Sequence, residues 1–117
     1  MPADHSVEQH FDKKDPAVRA TYDALLRVAR RFGDVVEEPK KTSIHLVAQS
    51  AFAGVATRRN KVVLTIKSAV EIEHQRIAKC EKLSANRWHF DVHLASPHDV
   101  DATVVAWLRS AYEMSCG

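Results

Sequence analysis

The feature that most constrains this chain is a change of hydrophobic period at Pro39. Before it, Val18, Tyr22, Leu25, Ala29 and Phe32 recur at i, i+4, i+7, i+11 and i+14, the apolar stripe of an amphipathic helix. After it, Ile44 and Leu46 alternate with Ser43 and His45. Val62, Leu64 and Ile66 alternate with Lys61, Val63 and Thr65, and Trp88, Phe90, Val92 and Leu94 with Arg87, His89, Asp91 and His93. Period two means strands with one buried face. Beyond Pro97 the helical spacing returns through Val100, Val104, Trp107, Leu108 and Ala111. Helix, strand run, helix is the order of an α+β fold: an antiparallel β-meander with N-terminal and C-terminal helices packed on one face.

Local signals place the boundaries. Residues 1–6 read as a flexible tail and 7–117 as one domain, with helical turns over Val7–Lys14 that put Val7 and Phe11 on one side. Asp15-Pro16 has the form of an N-cap with proline at the first helical position, and Gly33 supplies the C-terminal stop. Arg27, Arg30 and Arg31 crowd the last turn, where cations complement the helix dipole. Val35–Glu38 reads as a short strand broken by Pro39. Ser96-Pro97-His98-Asp99 reads as the start of the second long helix.

Hairpin register follows from the rule that opposed residues share a face. A three-residue Arg58-Arg59-Asn60 loop predicts Ala56 opposite Val62, Gly54 opposite Leu64 and Phe52 opposite Ile66, all inside. A Ser84-Ala85-Asn86 loop predicts Cys80 opposite Phe90 and Ala78 opposite Val92 inside, with Lys79 opposite Asp91 and Glu81 opposite His89 outside. An Ala48-Gln49-Ser50 loop predicts Leu46 opposite Phe52 and His45 opposite Ala53. The open face would then carry Ser43, His45, Ala53, Val55, Val63 and Thr65. The connection from Ser68 to Gln75 leaves the place of the last hairpin open.

No motif declares an activity. Three glycines cannot make a glycine-rich phosphate loop, and Lys40-Lys41-Thr42-Ser43 lacks the glycines that would open its amides to phosphate. No cofactor is expected. His89 and His93 lie on one strand face but roughly 13 Å apart at the rise of a β-strand, too far to share a metal ion. Cys80 is expected to be buried and inert, and Cys116 to lie in a terminal tail; two cysteines without a framework fit a reducing cytoplasm. Trp88 and Trp107 fall on core stripes. The net charge of +2 is mild.

If the last hairpin continues the meander, Lys40, Lys41, Arg58, Arg59, Lys61, Lys82 and Arg87 gather at one end of the sheet, with Glu37, Glu38 and Glu81 nearby. The leading expectation is a binding module, not an enzyme. Its anionic ligand, phosphate-bearing or nucleic acid, would contact Lys40, Lys41, Thr42, His45, Arg58, Arg59 and Arg87. One alternative is a homodimer through the open sheet face. Another is an enzyme with His45 as general base. No membrane partner is expected, because no apolar stretch reaches the roughly 20 residues a bilayer requires.

The segments Glu38-Pro39-Lys40-Lys41-Thr42-Ser43-Ile44, Ser50-Ala51-Phe52-Ala53-Gly54-Val55 and Ser84-Ala85-Asn86-Arg87-Trp88-His89 resemble those of an uncharacterised bacterial family, domain of unknown function 5655. So do Val100-Asp101-Ala102 and Trp107-Leu108-Arg109 in the final helix. The likeness runs from Val7 onward. Its members are sometimes labelled predicted transport proteins, but the resemblance implies no mechanism and carries over no catalytic residue.

Overall fold

The first apolar stripe becomes helix α1, Pro16–Phe32, which buries Val18, Tyr22, Leu25 and Ala29 completely. The computed structural model describes residues 6–116, so of the expected tail only Ser6 falls among the described residues. Glu8–Phe11 form a 3₁₀ turn, and the Phe11 ring packs on Tyr22 with centroids 5.2 Å apart. Asp15 holds the N-cap position without a side-chain cap bond; its backbone N–H instead donates to the Arg59 carbonyl at 2.8 Å.

Six antiparallel strands follow: β1 Val36–Pro39, β2 Ile44–Val47, β3 Ala51–Thr57, β4 Val62–Ser68, β5 Ile77–Ser84 and β6 Arg87–Leu94. Their order is β1-β2-β3-β4-β6-β5. The first four make the expected meander; the last hairpin then enters reversed, with β6 beside β4 and β5 at the edge. After Ser96 the chain makes a 3₁₀ turn, Pro97–Asp99, before helix α2, Ala102–Cys116. The second helix therefore starts five residues later than Pro97, and Asp101 begins it, its Oδ1 accepting the Val104 N–H at 3.2 Å. Cys116 ends this helix, half-buried, instead of lying in a tail.

Both helices cover the same face of the sheet. Phe52 meets Tyr112 edge-on at 5.5 Å and Phe90 meets Trp107 at 5.2 Å. Inside lie Ile44, Leu46, Ala53, Val55, Leu64, Ile66, Phe90, Val92 and Leu94.

Three hairpins depart from the expected register, two throughout and the last at its ends. Val55 pairs with Leu64 and Ala53 with Ile66, one residue away from prediction, because residues 58–61 form a four-residue loop closed by Arg58 N–H to Lys61 O at 2.8 Å. The slip turns Val55 inward and Gly54 and Ala56 outward. Leu46 accordingly opposes Ala53, and His45 opposes Gly54. A bulge between Leu46 and Val47 absorbs one residue, so that adjacent Phe52 and Ala53 are both buried. In the last hairpin Cys80–Phe90, Lys79–Asp91 and Glu81–His89 pair as expected. Ile77, not Ala78, opposes Val92, and the strands continue to a two-residue turn at Ala85-Asn86.

Edge strand β1 is pinned to α1 by a polar contact. The fully buried Tyr22 donates its hydroxyl to Glu37 Oε2 at 2.5 Å, and Arg30 approaches the other oxygen of that carboxylate at 3.5 Å. Burial first, and the Glu37 carboxylate second, raise the Tyr22 pKa well above its ordinary value. A phenol whose pKa is raised by folding stabilises the protein below the unfolded pKa, and that contribution is lost as pH rises through and beyond about 10. Tyr22→Phe is expected to remove about 1–2 kcal/mol at neutral pH and to flatten the loss of stability above pH ~10. Urea unfolding at pH 7 and 10.5 measures both.

Candidate functional site

Among the described residues no element covers the sheet face away from the helices, and register sets its composition. One row crosses all six strands as Glu38, His45, Gly54, Thr65, Asp91 and Lys79. The next rows carry Ala56, Val63 and His93 on one side, and Lys67, His89 and Glu81 on the other. Small residues in the middle leave a trough of about 300 Å³, floored by Ala51, Gly54 and Ala56 and walled by His45, Thr65, Lys67 and His89. A Cβ on Gly54 would meet His45 Cδ2 at 3.8 Å, an ordinary contact. Glycine there deepens the floor without being required by sterics.

The polar wall has a definite electrostatic arrangement. Thr65 Oγ1 donates to Asp91 Oδ1 at 2.7 Å, which fixes that carboxylate on the β5 side of the trough. Lys67 stands directly across the strands from His89 and takes part in none of the ion pairs found among the described residues. Burial, and then the Lys67 ammonium, hold the His89 imidazole below the ordinary histidine range, against the opposing pull of Glu81 and Asp91. At neutral pH the wall therefore offers one ammonium and a neutral imidazole that can donate or accept. Lys61 Nζ lies 3.3 Å from His93 Nδ1, further along the same face.

The seven residues expected to form one basic end are divided. Lys40, Lys41 and Thr42 lie exposed in the β1–β2 turn, closed by Lys40 N–H to Ser43 O at 2.7 Å. Arg58 and Arg59 lie in the β3–β4 turn at the same end. The 3₁₀ turn braces both, with His10 Nε2 2.8 Å from the Lys40 carbonyl and the Thr57 hydroxyl donating to the His10 carbonyl at 2.5 Å. Arg87 and Lys82 sit at the opposite end: Val62 pairs with Leu94 while Ser68 pairs with Trp88, so the length of β4, roughly 20 Å, separates them. The cause is the 69–76 connection. It returns along the sheet before β5 begins, which carries the Ala85-Asn86 turn to the far end.

His45 lies between the two ends, half-buried in the trough wall. The cations thus bracket the open face lengthwise, and the trough occupies its middle. Lys67 and His89 were not among the expected site residues. Their signal was register: both share the outward parity of Thr65 and Asp91, and both fall opposite one another once β6 is placed beside β4.

Comparison with known proteins agrees with the resemblance noted above. The family model described as "Domain of unknown function (DUF5655)" matches residues 7–115. No curated protein and no solved structure matches the chain.

Proposed function

Because the chain belongs to this family of unknown function, whose description names no chemistry, we propose a function from the site itself: a cytoplasmic, non-enzymatic module that binds a small phosphate-bearing ligand in the open-face trough. The observation that carries it is a concave, small-residue floor with Lys67, which makes no ion pair among the described residues, beside His89 and with His45 at the opposite wall. Its volume falls near the lower limit of small-ligand pockets. The apolar floor suits a flat body, and the ammonium and imidazoles suit its anionic group. Lys40, Lys41, Thr42, Arg58 and Arg59 at one end and Arg87 at the other raise the local concentration of anions without seating them. Cys80 and Cys116 as free thiols are in keeping with a reducing compartment.

Titration with inorganic phosphate, adenosine monophosphate and a short single-stranded oligonucleotide, at low and moderate salt, tests this reading. The monophosphate is expected to bind, and Lys67→Ala or His89→Ala to weaken it about tenfold, the loss of one charge-assisted contact. Gly54→Val fills the floor and is expected to block binding while leaving the melting point unchanged. Because His89 is held below its ordinary pKa, its imidazole is neutral at pH 7, and the affinity gained by protonating it should appear only below the ordinary histidine range. Absence of binding at every salt concentration removes the proposal, and a preference for the oligonucleotide with a steep salt dependence replaces it with nucleic-acid binding.

A second reading rests on the same uncovered surface. Ala51, Gly54 and Ala56, all partly exposed, make a shallow apolar strip that a second copy of the chain would cover. Sedimentation at micromolar concentration is expected to show a dimer under this reading, and Ala56→Lys to dissociate it; a strict monomer eliminates it.

A further inference from the structure

A second concavity lies on the other side of the sheet, where the 69–76 connection passes α2. Phe90 and Trp107 form its floor, Val70 and Ile72 one wall, and Ser110 and Met114 the other, enclosing about 290 Å³. Two of the large apolar side chains most exposed to solvent, Val70 at 60% and Met114 at 38%, stand at its lips. It adjoins a cavity of about 240 Å³ that shares Lys67, Ala69 and Met114 and is otherwise lined by Asn86, Arg87, Ser50 and Ser115. The groove is thus apolar along its length and cationic at one mouth.

Its walls are held in place. The Ser68 hydroxyl bonds both the carbonyl and the N–H of Val70, at 2.6 and 3.2 Å. At the other end of the connection Arg76 donates to Asp101 Oδ2 at 2.7 Å and to the Asp99 carbonyl at 2.9 Å, and His74 packs edge-on against Trp107. Ser115 Oγ donates to the Ser50 carbonyl at 2.7 Å and fixes the end of α2 beneath the cationic mouth. Bonds at both ends of the connection and at the end of α2 hold the backbone that carries Val70 and Met114 in place.

We infer that this groove binds a small amphiphile with a single anionic head, a short acyl carboxylate, its chain over Phe90 and Trp107 and its head at Arg87. The apolar floor selects the chain. Arg87 at that mouth, engaged in no ion pair among the described residues, selects the sign of the head and its direction. The site is distinct from the trough on the open face; Lys67 alone borders both.

Octanoate, octanol and octylammonium separate chain from head. In a Trp88→Phe variant Trp107 is the sole indole, and its emission reports occupancy; in the unaltered chain the indole N–H resonances give the same readout should that variant not fold. Octanoate is expected to give a saturable change below its micellar concentration, with octanol and octylammonium at least about tenfold weaker. Arg87→Glu and Val70→Asp, both at exposed positions, should each weaken octanoate about tenfold at an unchanged melting point. No saturable response overturns the inference. So does octanol binding as tightly as octanoate, or an octanoate affinity unmoved by Arg87→Glu.

Discussion

Val55→Asp is expected to unfold the protein, and Ala56→Asp to leave it folded. Val55 is fully buried between Ile44 of β2 and Leu64 of β4, both of them core residues. A carboxylate there has no partner and either stays charged at high cost or takes up a proton. The expected loss is about 4 kcal/mol or more, a large share of the roughly 5–15 kcal/mol that holds a domain of this size. Ala56 points to the uncovered face beside Val63 and the exposed His93, where aspartate is solvated. The three-residue loop suggested by Asn60 predicts the opposite outcome, with Ala56 inside. Circular dichroism melts of the two variants decide between registers one residue apart.

Gly33→Ala is the second large effect. Gly33 follows α1 with φ 158° and ψ −157°, and a Cβ built there would overlap the Tyr112 hydroxyl. Tyr112 cannot retreat freely, because its ring is packed between Phe32, at 5.7 Å, and Phe52, at 5.5 Å. Overpacking of this kind costs about 1–3 kcal/mol. The tightest clash is with the hydroxyl, so adding Tyr112→Phe should recover part of the loss, the rest being the cost of a side chain at a φ that L residues rarely adopt. Equal destabilisation of the single and double variants in urea would place the cause elsewhere. Glycine at this position is therefore set by a tertiary contact 79 residues away in sequence as much as by the helix stop that its position suggests.

What could be read in the sequence follows a physical division. Periodicity is strong and local, so α1, β4, β6 and the stripe of α2 were legible, as was the pairing of Cys80 with Phe90. Register between β3 and β4 was not. Phe52-Ala53-Gly54-Val55-Ala56 is apolar on both parities, and the bulge at Leu46–Val47 buries Phe52 and Ala53 together, which no strict alternation anticipates. The inward parity of Val55 did carry a hint, since a β-branched side chain packs a sheet core better than Gly54 does. The position of the last hairpin had its own signal. Ile77 to Ser84 alternates weakly and is charged, as an edge strand is, whereas Trp88-Phe90-Val92-Leu94 demands a neighbour on both sides. The eight residues from Ala69 to Arg76 are enough chain to recross the sheet.

The candidate site divided in the same way. Exposed cations in turns were easy to list, yet their grouping depended on strand order, and Arg87 left the cluster when β6 took its place beside β4. His45 kept its position on the open face. Lys67 and His89 came forward only through pairing. The Arg30–Glu37–Tyr22 contact joins a helix end to an edge strand, and nothing in local spacing announces it. Arg30 thus has a partner beyond the helix dipole that its position in the last turn suggested.

Under the proposed function an anionic ligand rests on the open sheet face and not at the basic turns. Amide chemical-shift mapping during titration with adenosine monophosphate distinguishes the two. Saturable shifts centred on His45, Gly54, Thr65, Lys67 and His89, with the Lys40–Thr42 and Arg58–Asn60 turns little changed, are the predicted result. Shifts confined to those turns, or none at millimolar ligand, would contradict it.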